Sequence, residues 1–331
     1  MQVFVTGATG FVGANLVRLL LKQGYQVKVL VRPQSVQDNL QGLEVEIVTG
    51  DLRDSAIAKS MRGCQALFHV AAHYSLWRTE QEQLYRSNVL GTRNILKAAR
   101  DAGIERTVYT SSVAAIGVPS TGAIATETYQ SSIEKLIGAY KQSKYLAEQE
   151  AQHAISIGQD IVIVNPSTPI GPWDVKPTPT GDMILRFLRR QMPFYLNTGL
   201  NLIHVRDVAQ GHILALDKGK TGERYILGNR NMTLQEILAH LSSITGLSEP
   251  RGSLPAWIPL AVAWVDECLL APLGKTPSVP LAGVKMAKQK MFYDASKAVQ
   301  ELGLPQTDID LALKESVDWF VSHDYVPNWK E

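Results

Sequence analysis

Thr6-Gly7-Ala8-Thr9-Gly10-Phe11-Val12-Gly13 sits between an apolar run, Gln2–Thr6, and a segment of helical periodicity, Gly10–Gln23. The run is rich in Val and Phe and reads as a buried strand. The spaced residues Phe11, Asn15, Val17, Leu20 and Leu21 read as a helix that stops at Gly24. Gly7, Gly10 and Gly13 let the backbone turn tightly and approach a diphosphate, to which the helix N-terminus presents free N–H groups and the positive end of its dipole. Glycines alone say little. Placed after a first strand and opening a helix, they read as a dinucleotide-binding turn. The spacing is not that of a P-loop, because no Gly-Lys-Ser/Thr follows.

Outward from this turn the chain alternates regularly. Gln26–Val31, Glu44–Val48, Ala66–Val70, Arg106–Thr110 and Asp160–Val164 read as further strands, and Glu80–Ala102 and Ile137–Ile157 as long helices ending at glycines. Such alternation predicts an α/β fold of Rossmann type, a doubly wound parallel sheet with right-handed crossovers. After Pro166 the pattern breaks at Pro169, Pro172, Pro177 and Pro179. The expected division is a nucleotide-binding domain over 1–170 and a smaller mixed substrate or lid domain over 171–331. Segments near 200–228, such as Leu202–Leu216, are expected to return to the first.

Composition bounds the function. The 331 residues are 45% hydrophobic, and 33 Lys and Arg against 31 Asp and Glu leave a formal charge of +2. Disorder, a collagen-like repeat and a disulfide scaffold are excluded. The near-neutral charge argues against a nucleic-acid binder working through phosphate electrostatics. Cys64 and Cys268 are too few for a metal cluster and read as reduced buried thiols, so no metal is expected and the compartment is expected to be cytoplasmic. Met1–Leu21 lacks a positive n-region and reads as fold, not as a leader. Leu254–Val265 meets Asp266 and Glu267 after about a dozen residues, too short to span a bilayer. The longer stretch Leu254–Leu273 reads as a lid or packing element.

Two positions speak to cofactor choice. From Ala14 to Gln37 there is no Asp or Glu to bind a ribose 2′-hydroxyl, and the second strand ends in Val31-Arg32-Pro33. A guanidinium there pairs with a 2′-phosphate that a carboxylate would repel, which predicts NADP(H), read by Arg32 with Ser35 as a further candidate. Asp51, in Gly50-Asp51-Leu52, is suited either to an adenine amino group or to capping a helix near Asp54.

Tyr140-Lys141-Gln142-Ser143-Lys144 places Tyr140 and Lys144 one turn apart on a helix. A phenol titrating at about 10 is expected to be lowered by the neighbouring ammonium, so that it exchanges a proton with a carbonyl or alcohol near working pH. Thr110-Ser111-Ser112 ends the fifth strand, where open α/β sheets place their ligands. A nucleotide turn, a strand-end serine and a helical Tyr/Lys pair, in this order, form a specific combination.

With these segments the sequence resembles the extended short-chain dehydrogenase/reductase family over almost its whole length. Val70-Ala71-Ala72, Asn88–Asn94, Asn165–Pro172 and His204–Ala209 carry the rest of the likeness. Within the family it looks most like the dihydroflavonol 4-reductase-like branch, and it is similar to proteins named hopanoid-associated sugar epimerases. The resemblance implies that Tyr140 is the acid/base, that Lys144 tunes it and bonds the nicotinamide ribose, and that Ser112, in preference to Ser111, orients the substrate oxygen. Asn88 matches the family's asparagine near the active site. Ala71 and Ala72 would line the ribose and diphosphate path, and Pro166 to Ile170 would hold the carboxamide. The implied cofactor-contacting set is Gly7, Thr9, Gly10, Phe11, Val12, Arg32, Asp51, Leu52, Val70, Ala71, Ala72, Asn88, Thr110, Ser111, Tyr140, Lys144, Pro166 and Thr168. The resemblance also implies a homodimer paired through Glu80–Ala102 and Ile137–Ile157.

Family members include carbonyl reductases and nucleotide-sugar epimerases or dehydratases. Thr168 stands where the sugar branch has Asn, and Gly283–Ser296 lacks its Arg-x-Gly-Asp element. The expectation is therefore an NADP(H)-dependent reductase making a secondary alcohol from an apolar or cyclic ketone, with the epimerase as the alternative. Trp77, Trp173, Phe194 and Tyr195 are candidates to line the substrate pocket, together with Ser112 and Tyr140.

Overall fold

Continuous apolar runs such as Val3-Phe4-Val5 and Val162-Ile163-Val164 are buried on both faces, as strands of a parallel sheet covered by helices must be. A computed structural model describes residues 1–54, 56–119, 121–255, 257–265, 281–286 and 289–327; Cys268 and residues 266–273 of the expected lid stretch Leu254–Leu273 lie outside them. Strands β1 (Gln2–Thr6), β2 (Gln26–Val31), β3 (Glu46–Thr49), β4 (Ala66–His69), β5 (Arg106–Thr110) and β6 (Ile161–Pro166) build most of the sheet. After β7 (Thr168–Ile170), β8 (Tyr195–Leu196) and β9 (Gly199–His204), strand β10 (Arg224–Leu227) joins its edge. The order is β3-β2-β1-β4-β5-β6-β10, parallel throughout.

The order reverses between β1 and β4, which opens a crevice at the C-terminal ends of the strands. Helices α1 (Phe11–Lys22), α2 (Ile57–Met61), α3 (Gln81–Leu84), α4 (Gly91–Ala102), α5 (Val113–Ile116) and α6 (Ala139–Ser156) follow the strands. One face of the sheet carries α2, α4 and α6 over Phe4, Leu67, Tyr109 and Ile163. The other carries α1, which packs against a later helix described below, over Val5, Phe68, Val108 and Val164.

Beyond Pro166 the chain builds a second core. Helices α7 (Pro179–Leu188), α8 (Val205–Lys218), α9 (Leu234–Thr245), α10 (Trp257–Val265), α11 (Leu281–Met286) and α12 (Ile309–Ser322) are joined by β11 (Arg230–Thr233), β12 (Ser253–Leu254) and β13 (Lys290–Met291). Strand β9 lies between β11 and β13 and also pairs with β7; β8 and β12 pair separately. Leu185, Leu202, Ile237, Leu241, Leu313 and Phe320 fill this core. Helix α8 returns to the large sheet: Val208, Ala209 and Ile213 lie in the core that α1 covers. Strand β9, directly before it, belongs to the small sheet.

Several limits differ from expectation: the fourth strand is Ala66–His69, not Ala66–Val70, the sixth is Ile161–Pro166, not Asp160–Val164, and α6 is Ala139–Ser156, not Ile137–Ile157. The third strand is Glu46–Thr49, not Glu44–Val48, because turn bonds Leu43 N–H to Leu40 O and Val45 N–H to Leu43 O hold the preceding residues. The long helix expected over Glu80–Ala102 is interrupted by a π-helical turn, Tyr85–Leu90, that carries Asn88. Such single π turns concentrate at functional sites.

The turn after β1 has no room for side chains. Gly7 has φ +76, and a Cβ there would lie 2.6 Å from the Ala71 backbone nitrogen. A Cβ on Gly13 would overlap the Gly7 carbonyl. Gly13→Ala should therefore destabilise the protein by about 1–3 kcal/mol by overpacking, read as a lower denaturation midpoint in urea; an unchanged midpoint would show that the turn can relax.

Candidate active site

The loops that leave β1, β2, β3, β4, β5 and β6 all open on the same edge of the sheet. The first is the glycine turn. Gly10 caps α1 in an extended conformation with no side-chain cap, so its first-turn N–H groups face the crevice, as a diphosphate requires. Thr9 is fixed by its carbonyl, which accepts from Asn39 Nδ2 at 3.0 Å. Phe11 and Val12 begin the helix, and Val70 N–H donates to Thr6 O at 3.3 Å, drawing Val70–Ala72 against the turn.

At the far end of the crevice Arg32 is exposed, at the end of β2. Asp51 neither caps a helix nor stands free. Its carboxylate accepts from Arg53 Nε at 2.6 Å and from the Arg53 backbone N–H at 3.0 Å. That bond, with the further charge of Arg32, holds the carboxyl below its usual range. Leu52 packs on the start of α4, and its carbonyl accepts from Asn94 Nδ2 at 2.6 Å. Arg53 carries no motif signature that would have marked it in advance.

The catalytic candidates converge at the end of β5. Ser112 caps α5, its Oγ accepting from Ala114 N–H at 3.1 Å, and its side chain faces the Tyr140 hydroxyl closely enough to oppose the rise of that phenol's pKa. Ser111 points into the protein instead, with its Oγ buried. Gly138, at φ +90, caps α6 and brings Tyr140 into its first turn. One turn later Lys144 is buried, and its Nζ donates to Thr110 O at 2.9 Å. The Thr110 hydroxyl meets His212 Nε2 at 2.8 Å. Since His212 Nδ1 must donate to the Val208 carbonyl, Nε2 is the acceptor, and burial holds this imidazole neutral by pushing it down to about 4.

Here the expected electrostatics need correction. In this structure the Lys144 ammonium is committed to a backbone carbonyl and does not depress the phenol. Burial pushes the Tyr140 hydroxyl up to about 12, against a smaller lowering by Ser112, and pushes Lys144 down to about 8. The phenol is thus a firm proton carrier at neutral pH.

Asn88 also changes role. Its Nδ2 donates to His73 O and Ser143 Oγ, both at 2.9 Å, and its Oδ1 accepts from His73 N–H at 2.7 Å. Both amide hydrogens are engaged, so Asn88 braces the β4 loop against α6 and offers no donor to a cofactor. Ser143 passes the brace on, donating to Tyr140 O at 2.7 Å. Tyr74 comes from the same loop; its ring meets that of Tyr140 edge-on with centroids 4.6 Å apart. One tyrosine in a loop gave no signal in the sequence.

Pro166 and Thr168 mark where the chain leaves the large sheet for β7. Trp77 stays in the β4 loop, its N–H donating to Ser75 Oγ at 3.1 Å. Tyr195 packs on the second core, and Phe194 is exposed. Trp173 does not join the catalytic group. The Arg18 guanidinium lies 3.4 Å over its ring centroid and His323 meets its edge. Pro172 O accepts from Asn15 Nδ2 at 3.1 Å, so residues 172–173 form a strap on α1. Among the described residues no cluster could hold a metal ion, and no helix is long and apolar enough to cross a membrane.

With the glycine turn and the Ser–Tyr–Lys group described, the comparisons with known proteins give the family. A model of the NAD dependent epimerase/dehydratase family matches residues 3–228, ending just after β10. The chain belongs to this family. It is an extended short-chain dehydrogenase/reductase and an enzyme of that superfamily. It is 69% identical over 98% of its length, and 95% of the other's, to a Synechocystis protein named "Putative dihydroflavonol 4-reductase". It is 35% identical to sterol demethylase protein B of Methylococcus capsulatus, covering 97% of this chain and 98% of that one. The solved structure of gox2253 superposes with a TM-score of 0.87 at 44% identity, over 97% and 98% of the two chains. For this family member the phenol's environment gives a direct test. The tyrosinate difference titration between wild type and Tyr140→Phe, without cofactor, should show no step below about pH 10; a step near neutrality would refute the burial argument.

Proposed function

We propose that this family member is an NADP(H)-dependent reductase that converts a ketone to a secondary alcohol. The observation that carries the reading is the meeting of Ser112, at the end of β5, with Tyr140 and Lys144, early on α6, with a phenol that keeps its proton at neutral pH. A carbonyl oxygen placed between the two hydroxyls would accept a hydrogen bond from Ser112 and the proton from Tyr140. When bound, a reduced nicotinamide supplies the hydride for the carbonyl carbon. The oxygen's developing negative charge is met by the two hydroxyls, and Lys144, charged below about pH 8, would bond the nicotinamide ribose.

The residues present fit such a cofactor. The side-chain-free turn at Gly7, Gly10 and Gly13 leaves backbone N–H groups for the diphosphate. Arg32 and Arg53 stand at the adenosine end, and the bidentate habit of guanidinium toward phosphate supports a 2′-phosphate there. For the substrate, Tyr74 offers aromatic surface beside the proton donor, with Trp77 a further candidate from the same loop, and the relative named for sterol chemistry supports a cyclic, apolar ketone. Two copies pairing through α4 and α6 belong to the same reading; sedimentation should then give twice the mass of the chain.

A panel of cyclic ketones, followed by loss of reduced-nicotinamide absorbance, tests the reading. NADPH should be consumed with a higher kcat/KM than NADH, and Arg32→Asp should reverse that order. Tyr140→Phe should lower kcat by about 10²–10⁴-fold while NADPH binding stays near wild type. Tightly held NAD with no net cofactor consumption would instead mark an epimerase.

A further inference from the structure

Glu148 lies on α6 one turn beyond Lys144 and two beyond Tyr140, and it is 3% exposed. The reaction as described does not use it. Its Oε1 accepts from Arg224 Nη1 on β10 at 2.9 Å, and its Oε2 from Asn165 Nδ2 on β6 at 2.9 Å. Asn165, wholly buried, donates its other amide hydrogen to Ser112 O at 3.0 Å. A continuous chain therefore runs from the edge strand through an ion pair, its carboxylate buried and its guanidinium half-buried, and an amide to the backbone of the serine that faces Tyr140. Buried ion pairs add little net stability, because desolvation cancels much of the attraction, so stability alone does not account for one here.

We propose that Glu148 is a positioning residue for the catalytic group: through Asn165 it fixes the Ser112 backbone, and from one turn along α6 it places a carboxylate on the Lys144 side of that helix. The second half rests on the reductase reading for what Lys144 does; the bonding network does not. Among the described residues, the negative charge that acts on Lys144 is that of Glu148. Tyr140 shares its helix, and the Tyr109 ring on β5 lies 5.4 Å from the ammonium. His69 on β4 and His212 on α8 are held neutral by burial. Arg224 on β10 stands beyond Glu148 and adds positive charge. Burial alone brings Lys144 down toward neutrality, and Glu148 opposes that fall.

The test is the pH dependence of NADPH binding, read by fluorescence, in the full-length protein. Wild-type affinity should decline as Lys144 loses its proton. Removing a neighbouring anion lowers the pKa of a cation, so Glu148→Gln should move that midpoint down by about one pH unit. Glu148→Asp, which keeps the charge, should restore it. The double variant Glu148→Gln/Arg224→Gln leaves no lone half-buried guanidinium. It should fold even where the single variant does not, and should move the midpoint in the same direction by a smaller amount. A midpoint equal to wild type in the Gln variants overturns the proposal. If wild type binds NADPH with this midpoint yet reduces no ketone, the reductase reading fails while the comparison among variants still decides the role of Glu148.

Discussion

The tight passage of backbone past backbone at the end of β1 sets the geometry of everything around it. Gly7 presses on the Ala71 nitrogen, and Gly13 lies over the Gly7 carbonyl. No side chain fits at either position, so the start of α1 and the loop after β4 are locked at one separation. That separation is the width of the crevice at the switch point of the sheet. The loops that carry Tyr74, His73 and the anchor for Asn88 begin there. A shift of the turn would move them all.

Around this fixed edge the reactive group is held by buried polar side chains more than by close packing. Asn88 ties a loop to α6, Ser143 ties the first turn of that helix to itself, and Lys144 ties it to β5. Each such bond adds only about 1 kcal/mol net, but leaving a buried partner unsatisfied costs about 1–3 kcal/mol. The network therefore contributes less to global stability than to having one arrangement and no near alternatives. Pre-organisation of this kind is what general acid catalysis needs, since the donor must be in reach before the carbonyl arrives.

Much of this was legible in the residues. The first, second and fifth strands have the expected limits, because buried parallel strands announce themselves as apolar runs bounded by turns. The edge strand β3 was displaced by two residues: Glu46 and Thr49 give it no strong pattern, and a turn decides where pairing starts. The π turn around Asn88 was hidden because one added residue barely disturbs helical periodicity. The likeness in chain order showed which hydroxyls meet, Ser112 with Tyr140. The sign of the phenol's shift was not legible, since it depends on how deeply the ring is set and on the Lys144 ammonium turning to Thr110 O. The contacts of Trp173 were hidden for a related reason. An aromatic after a strand is a fair pocket candidate until a guanidinium on another helix claims its face.

The path of the chain between the two sheets has a consequence for how the protein is made. The large sheet lacks its edge until Arg224–Leu227 is in place, and the core beneath α1 still includes Ala298, Leu302 and Leu304. A nascent chain that has just cleared the ribosome through β6 thus exposes apolar surface whose cover is encoded more than a hundred residues downstream. Such half-built intermediates are prone to association, so this enzyme's yield in a cell should depend on how well its early segments are shielded while the remainder is translated.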